Sequence, residues 1–374
     1  MSAIQLRPFS LLCKPVSAEC NLACQYCFYR RVEKIYPGSH LMSDEVLEAV
    51  IKQFLGLGLA QSVFSWQGGE PTLAGLDFFQ KVVRLQEKLG RGGQAVGNAL
   101  QTNGILIDDD WARFLAKYNF LVGVSLDGPK EIHNKFRRSK GGQGSFDRVM
   151  AGISALRRHN VAFNILTLVT SANERRGRKV YRFLRENGSN FLQFIPCVEK
   201  APNGDSLASF SVTPERYGEF LCELFDEWVK DYPKVSIRLF DSLLEYHLYG
   251  RMPLCVLGSS CDGYLLIEHN GDVYPCDFFV QKKWRLGNLL EEDLLSTFNS
   301  PRRGGFSKMK ALVLEGCEGC QWRPVCYGGC LKDRERCGDP LKVPSPLCPG
   351  YRKFFEHTKD FFKSLRRGHL KSAT

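Results

Sequence analysis

The stretch Cys20-Asn21-Leu22-Ala23-Cys24-Gln25-Tyr26-Cys27 gathers three thiols in one short loop. Three thiolates are too few for a closed tetrahedral zinc site, but they suit a cubane iron–sulfur cluster with one iron left open. An open iron can bind a small molecule directly, whereas a cluster held by four cysteines ordinarily only passes electrons. Zinc completed by a distant His is the competing reading of the same spacing. What precedes the loop gives its place in the fold. Ser10 to Val16 is a short, largely apolar run of the kind a strand buried on both faces needs, so the thiols fall at that strand's C-terminal end.

Further runs of that kind are Ser62 to Trp66, Ala95 to Gln101, Leu121 to Leu126, Val161 to Val169 and Phe191 to Ile195. Helical stretches separate them. Ser43 can cap a helix with Asp44 and Glu45 in its first turn and Val46, Leu47, Val50, Ile51, Phe54 and Leu55 at helical spacing. Others fall near Asp77 to Lys88, Asp109 to Tyr118, Phe146 to Arg157 and Arg178 to Glu186. Strands and helices alternating in this way give an α/β chain with a parallel sheet or barrel covered by helices, and six strands suit a partial (β/α)6 barrel whose reactive groups would lie at the C-terminal strand ends. Distinctive phrases fall there: Gln67-Gly68-Gly69-Glu70-Pro71 after the second strand, Gln101-Thr102-Asn103-Gly104 at the third and Ser125-Leu126-Asp127-Gly128 at the fourth. Residues 200–212 read as a linker, and Thr213-Pro214-Glu215 as a helix cap with proline in the first turn. Asn270-Gly271, between Tyr264 to Glu268 and Val273 to Tyr274, predicts a two-residue hairpin turn with Cys276 just past the returning strand.

The chain has 374 residues, 44% hydrophobic and 24% charged, with 26 Phe and 13 Tyr, which excludes a disulfide miniprotein and a disordered chain. No apolar run nears the roughly 20 residues that span a bilayer, and no export signal is evident, so a cytoplasmic location without a membrane partner is expected. The net charge of +11 is spread along the chain apart from Lys353, Lys359, Lys363, Arg366, Arg367 and Lys371. That stretch reads as a solvated helix face, not as a nucleic-acid site. Fifteen cysteines without an export signal favour metal or cluster ligation over disulfides. Eight of them crowd the last third: Cys255, Cys261, Cys276, Cys317, Cys320, Cys326, Cys330 and Cys348, enough for two four-cysteine clusters or two zinc ribbons. Cys13, Cys197, Cys222 and Cys337 read as bystanders, and His133, His247 and His269 have no assigned role.

The Cys-x3-Cys-x2-Cys spacing, with aromatic Tyr26 before the last cysteine, resembles the signature of the radical S-adenosylmethionine (SAM) superfamily. The resemblance implies that the open iron chelates SAM. It places Gly68, Gly69 and Glu70 beside the SAM amino group, with Tyr26, Ser125, Arg137 and the backbone of Val198 as further contacts. The chemistry is reasonable, because glycines allow close approach, a carboxylate complements an ammonium and an arginine complements a carboxylate. The C-terminal cysteines resemble the SPASM extension of peptide-modifying members. By that resemblance Cys255, Cys261, Cys276 and Cys330 hold a first auxiliary cluster, and Cys317, Cys320, Cys326 and Cys348 a second, a crossing that local pairing would not predict.

The phrases from Phe64 to Leu76, from Asp127 to Asn134 and from Tyr274 to Phe278 are similar to anaerobic sulfatase-maturating enzymes, with Trp66 where Phe is expected. This implies oxidation of a Cys or Ser in a sulfatase to Cα-formylglycine without oxygen. The cofactors implied are SAM and three 4Fe-4S clusters. An unfolded or nascent sulfatase polypeptide is the implied substrate, and a flavodoxin or ferredoxin the electron donor. A deoxyadenosyl radical takes a hydrogen from the substrate Cβ, Asp277 takes the thiol or hydroxyl proton, and the cluster bound by Cys276 takes the electron. The expected organisation is a radical SAM barrel over residues 1–205, a connecting segment over 206–254, a SPASM domain over 255–350 and a C-terminal helix with a basic tail over 351–374. Competing readings are a SPASM maturase that forms thioether or carbon–carbon crosslinks, a non-catalytic iron–sulfur electron carrier and a zinc-binding interaction module.

Overall fold

A computed structural model describes residues 9–372 except 39, 202, 203 and 205, with side chains described as far as residue 365. Among the described residues, ten strands form one sheet in the order β10-β9-β8-β1-β2-β3-β4-β5-β6-β7. They are β1 (Ser10–Cys13), β2 (Gln61–Trp66), β3 (Ala95–Thr102), β4 (Leu121–Ser125), β5 (Phe163–Val169), β6 (Phe191–Pro196), β7 (Ser236–Ile237), β8 (Tyr264–Ile267), β9 (Asp272–Tyr274) and β10 (Gly287–Asn288). From β1 to β7 every neighbouring pair is parallel. Between them run α1 (Asp44–Gly56), α2 (Leu76–Leu89), α3 (Asp109–Lys117), α4 (Lys130–Phe136), α5 (Phe146–Arg158), α6 (Gly177–Asn187) and α7 (Pro214–Asp231), with α8 (Arg238–Tyr249) after β7. This is βα-barrel connectivity left open, since β1 and β7 do not pair with each other.

All six expected strands are present, and the differences have local causes. β1 stops at Cys13 rather than Val16, because Pro15 has no N–H to donate to the ladder. β5 starts at Phe163, since Val161 N donates to Leu156 O and closes the end of α5. Ser43 caps α1 as expected, its Oγ accepting from Val46 N at 3.2 Å. Thr213 precedes α7 without a side-chain cap, and its N–H instead donates to Glu174 Oε2 at 2.9 Å. The segment expected only to connect the two modules supplies the parallel strand β7.

The larger revision concerns the C-terminal module, which does not stand apart from the barrel. β8 pairs parallel with β1, from Ser10 opposite Tyr264 to Cys13 opposite Ile267, and β9 and β10 continue the sheet antiparallel. The hairpin turn is also longer than two residues. Ile267 pairs with Val273, and Glu268 N donates to Asp272 O, so His269, Asn270 and Gly271 form a three-residue loop with Gly271 at φ +88°. A type I turn ending in a left-handed glycine is the usual three-residue solution.

The helix Cys348–Ser372 buries Phe354, Phe355 and Phe362 against α7 and α8, with Phe354 stacked on Phe240 at 5.5 Å. Lys353 on the same helix also reaches α7, pairing with Glu219 at 3.1 Å. The side chains of Arg366, Arg367 and Lys371 lie outside the described residues, as do residues 202, 203 and 205 of the expected linker. No helix among the described residues is long and apolar enough to cross a membrane.

Candidate functional site

The three-cysteine loop leaves the C-terminal end of β1 and is fastened on several sides. Ala23 N donates to Arg138 O at 2.8 Å and Gln25 N to Phe136 O at 3.2 Å, tying the loop to the end of α4. Asn103, just past β3, donates from Nδ2 to Asn21 Oδ1 at 2.7 Å and lies 3.7 Å from Cys20 Sγ. The turn after β2 presses against the approach to Cys20, with Gly69 N donating to Ser17 O at 2.6 Å and Glu70 N to Glu19 O at 2.7 Å. A Cβ on Gly69 would sit 1.8 Å from Glu19 O, so only glycine permits this contact. Cys20, Cys24 and Cys27 lie within electrostatic range of one another. Burial pushes the Cys20 thiol up to about 11 and that of Cys24 up to about 12, the latter against the pull of Arg137. Three thiols on one short loop, within reach of one another, are the donor set that fits a cluster.

Two expected SAM contacts turn out to be occupied first by the chain itself. Glu70 is fully buried: Oε1 accepts from Thr72 N (3.2 Å), Thr72 Oγ1 (2.7 Å) and Thr102 Oγ1 (2.7 Å), and Oε2 accepts from Asn103 N (2.6 Å). The carboxylate therefore knots the ends of β2 and β3. Arg137 donates from Nε to Asp127 Oδ2 at 2.9 Å and from Nη2 to Oδ1 at 3.1 Å, a bidentate pair. Its guanidinium lies 5.4 Å from the centre of the Tyr26 ring, and Tyr26 OH donates to the same carboxylate. Burial raises the Asp127 carboxyl, but Arg137, His133 and Tyr26 together outweigh it and hold the group below the usual range.

Behind this pair, Asp127 N donates to His133 Nδ1 at 3.3 Å, and His133 Nε2 stands 2.9 Å from Ser145 Oγ. Burial lowers His133 to about 4, so the neutral ring accepts at Nδ1 and donates from Nε2. Ser145 Oγ passes the chain on by donating to Arg137 O at 2.9 Å. His133, which had no assigned role, is thus a prop for Asp127 and Arg137. Ser125, at the end of β4, accepts from Gln101 Nε2 at 3.2 Å, and Val198 is fully buried just past β6. Trp66 donates from its indole nitrogen to Asn98 Oδ1 at 2.9 Å.

The eight C-terminal thiols sort into two groups. Cys317, Cys320, Cys326 and Cys348 line one small, narrow pocket, flanked by Trp322 and Phe355. Cys330 lies within electrostatic range of Cys255 and Cys261, and Cys276 within range of Cys330. Cys330 therefore crosses to the group remote from its sequence neighbours. Among the described residues no His, Cys, Asp or Glu side chains converge in threes on a single-ion site.

Asp277 is buried directly after Cys276, in the group of Cys255, Cys261 and Cys330, and its link to the first loop runs through Lys14. Tyr264, which begins β8, donates from its hydroxyl to Asp277 Oδ1 at 2.9 Å and lies 3.2 Å from Cys276 Sγ. Lys14, the first residue past β1, places Nζ 3.9 Å from Asp277 Oδ2 and 4.2 Å from the centre of the Tyr29 ring. Burial pushes the Lys14 ammonium down, opposed by Asp277, Glu268 and the thiols of Cys276 and Cys27. Its charge thus reaches both cysteine sites. Sequence reasoning passed over Lys14, Tyr264 and the Asp127 side chain. A lysine inside an otherwise apolar strand run was the available signal for Lys14, while Tyr264 meets Asp277 only through the hairpin.

Residues 15–184 match the radical SAM superfamily, and residues 255–321 match an iron–sulfur cluster-binding domain, SPASM. The cysteine-type anaerobic sulfatase-maturating enzyme of Clostridium perfringens is 41% identical over 355 residues, covering 94% of this chain and 96% of the relative. The serine-type enzyme of Bacteroides thetaiotaomicron is 37% identical over 381 residues, covering 96% and 92%. The solved structure of native anSMEcpe with bound AdoMet and Cp18Cys peptide superposes with a TM-score of 0.90 at 40% identity, covering 97% of this chain and all of that one (100%). Matched over nearly its whole length by relatives of both types, the chain belongs to the anaerobic sulfatase-maturating enzymes of the radical SAM superfamily.

Proposed function

We propose that this protein oxidises a Cys or Ser side chain of a sulfatase polypeptide to Cα-formylglycine without oxygen. The observation that carries the reading is Asp277, a buried carboxylate next to Cys276, held by Tyr264 and faced by Lys14, whose charge also reaches Cys27. Relatives of both the cysteine type and the serine type match 94% and 96% of the chain, and one solved relative holds a peptide.

Cys20, Cys24 and Cys27 would hold the SAM-binding cluster, and the two crossed groups of four the auxiliary clusters; together these supply hydrogen-atom removal from the substrate Cβ and an exit for one electron. The chain's own residues do the rest. Asp277 takes the thiol or hydroxyl proton, with Tyr264 fixing Oδ1. Arg137, aligned by Asp127, keeps Nη1 for the SAM carboxylate, while the Gly68-Gly69-Glu70 turn, Tyr26, Ser125 and Val198 shape the rest of that pocket. We assign the barrel to residues 1–205, the connection to 206–254, the cluster domain to 255–350 and the terminal helix to 351–374. A flavodoxin or ferredoxin in the cytoplasm completes the reading as electron donor.

The test is anaerobic incubation of the reconstituted protein, SAM and a reductant with a peptide containing Cys-x-Pro-x-Arg, beside its Ser counterpart, followed by mass spectrometry. Conversion to the aldehyde is expected. An intact peptide alongside SAM cleavage would transfer the assignment to another peptide-modifying chemistry.

A further inference from the structure

Two buried cations, Lys310 and Arg334, lie among the eight C-terminal thiols, and both side chains are fully enclosed. Lys310 Nζ donates to Val256 O at 2.9 Å and to Gly329 O, which joins the residue after Cys255 to the residue before Cys330. Arg334 is held by carbonyls: Nε donates to Gly328 O at 3.2 Å, and Nη2 to Lys310 O at 3.3 Å and to Tyr327 O. Gly328, at φ +72°, lets the loop from Cys326 to Cys330 close over the guanidinium, since a Cβ there would come within 3.1 Å of Nη2.

Among the described residues neither cation is ion-paired with an acid. Asp333, whose charge reaches Lys310, is itself paired with Lys332 at 3.6 Å. Most of the charges that act on the two side chains are those of the cysteines. Lys310 lies within electrostatic range of Cys330, Cys261 and Cys255, and of Arg334 itself. Arg334 lies within electrostatic range of Cys261 and Cys330 of one group together with Cys317 and Cys326 of the other.

A dry, unpaired cation is strongly disfavoured, and carbonyl dipoles offset only part of its lost hydration. A cluster on four thiolates is an anion, and reduction makes it more so. We propose that Lys310 and Arg334 are the built-in counter-cations of the two auxiliary clusters, Arg334 shared by both and Lys310 serving the Cys255, Cys261, Cys276 and Cys330 site, and that they raise the reduction potentials there. This rests on the reading that the eight cysteines hold two clusters. Positive charge favours the reduced state, so the pair makes these sites acceptors for the electron that leaves the substrate. A unit charge roughly 10 Å away at an effective dielectric of about 20 changes the reduced-to-oxidised ratio about tenfold or somewhat more. Tenfold corresponds to about 59 mV for a one-electron couple.

The experiment is an EPR-monitored redox titration of the full chain carrying alanine at Cys20, Cys24 and Cys27, so that only auxiliary signals remain, with iron and sulfide content measured on every sample. Lys310→Met is expected to lower one midpoint by about 59 mV, Arg334→Gln to lower both, and Arg334→Lys to restore them. Should Arg334→Gln fail to hold its clusters while Arg334→Lys keeps them, the charge requirement stands at the level of assembly. Loss in Arg334→Lys as well would assign the residue to packing and overturn its shared role. Lys310→Met tests the charge independently, and full iron with unmoved midpoints refutes the proposal. Iron content too low for two clusters in the Cys20, Cys24 and Cys27 background would overturn the cluster reading instead.

Discussion

Gly69→Ala concentrates its effect on one contact. The added Cβ would sit 1.8 Å from Glu19 O, 2.3 Å from Glu19 C and 2.6 Å from Ala18 C, all of them backbone atoms that no rotamer change can move. Relief requires the turn after β2 to part from residues 17–19, which breaks the bonds from Gly69 N to Ser17 O and from Glu70 N to Glu19 O. Each is worth about 1 kcal/mol net, and backbone overpacking adds about 1–3 kcal/mol, for a total of about 3–5 kcal/mol. Because Glu19 adjoins Cys20, the same displacement disturbs the first thiol. The assay is anaerobic urea unfolding together with iron content and SAM binding. Gly56→Ala, at the end of α1 with open space around its Cβ, serves as the control and is expected to be neutral or stabilising by up to about 1 kcal/mol. A Gly69→Ala protein within about 1 kcal/mol of the parent and with full iron would refute the close-approach argument.

Asp277→Asn is expected to retain SAM binding and cleavage while formylglycine formation falls by about two orders of magnitude or more, read by mass spectrometry; undiminished product would remove the residue from proton transfer. Asp127→Ala leaves Arg137 buried without its partner, and a loss of about 3–5 kcal/mol in unfolding experiments together with weakened SAM binding should follow. His133 has a folded-state value of about 4 against an ordinary 6.5, so the neutral ring is the native form. Its contribution is complete above that ordinary value and disappears as pH falls toward the folded one, a loss of about 3 kcal/mol that flattens in His133→Gln. An acid limb identical in the two proteins would count against the buried-ring assignment. Ser43→Ala should cost about 1 kcal/mol by calorimetry, the ordinary value of a helix cap.

Periodic and compositional signals gave the barrel strands because each is a short apolar run, and the cysteine spacing gave the first site because its ligands share one loop. The crossed grouping of Cys330 was reached through resemblance, since no local spacing encodes it. What the sequence did not yield depends on contacts across long separations. Lys14 meets Asp277 only because β8 lies beside β1, and the Glu70 knot exists only where β2 and β3 end together. Arg334 is one of many basic residues in the sequence; its meaning comes from complete burial among four thiols.

The ladder between β1 and β8 has a consequence for the order in which the chain is made. Ser10 leaves the ribosome early, yet its partner Tyr264 follows after roughly 250 residues, which at about 5–20 residues per second is a wait of tens of seconds. During that interval β2 can cover one flank of β1 while the other presents unpaired N–H and C=O groups, the kind of edge that recruits stray strands. The nascent half barrel therefore needs a shield at β1 until its own C-terminal hairpin arrives, and a truncation ending before Tyr264 would leave that edge open permanently.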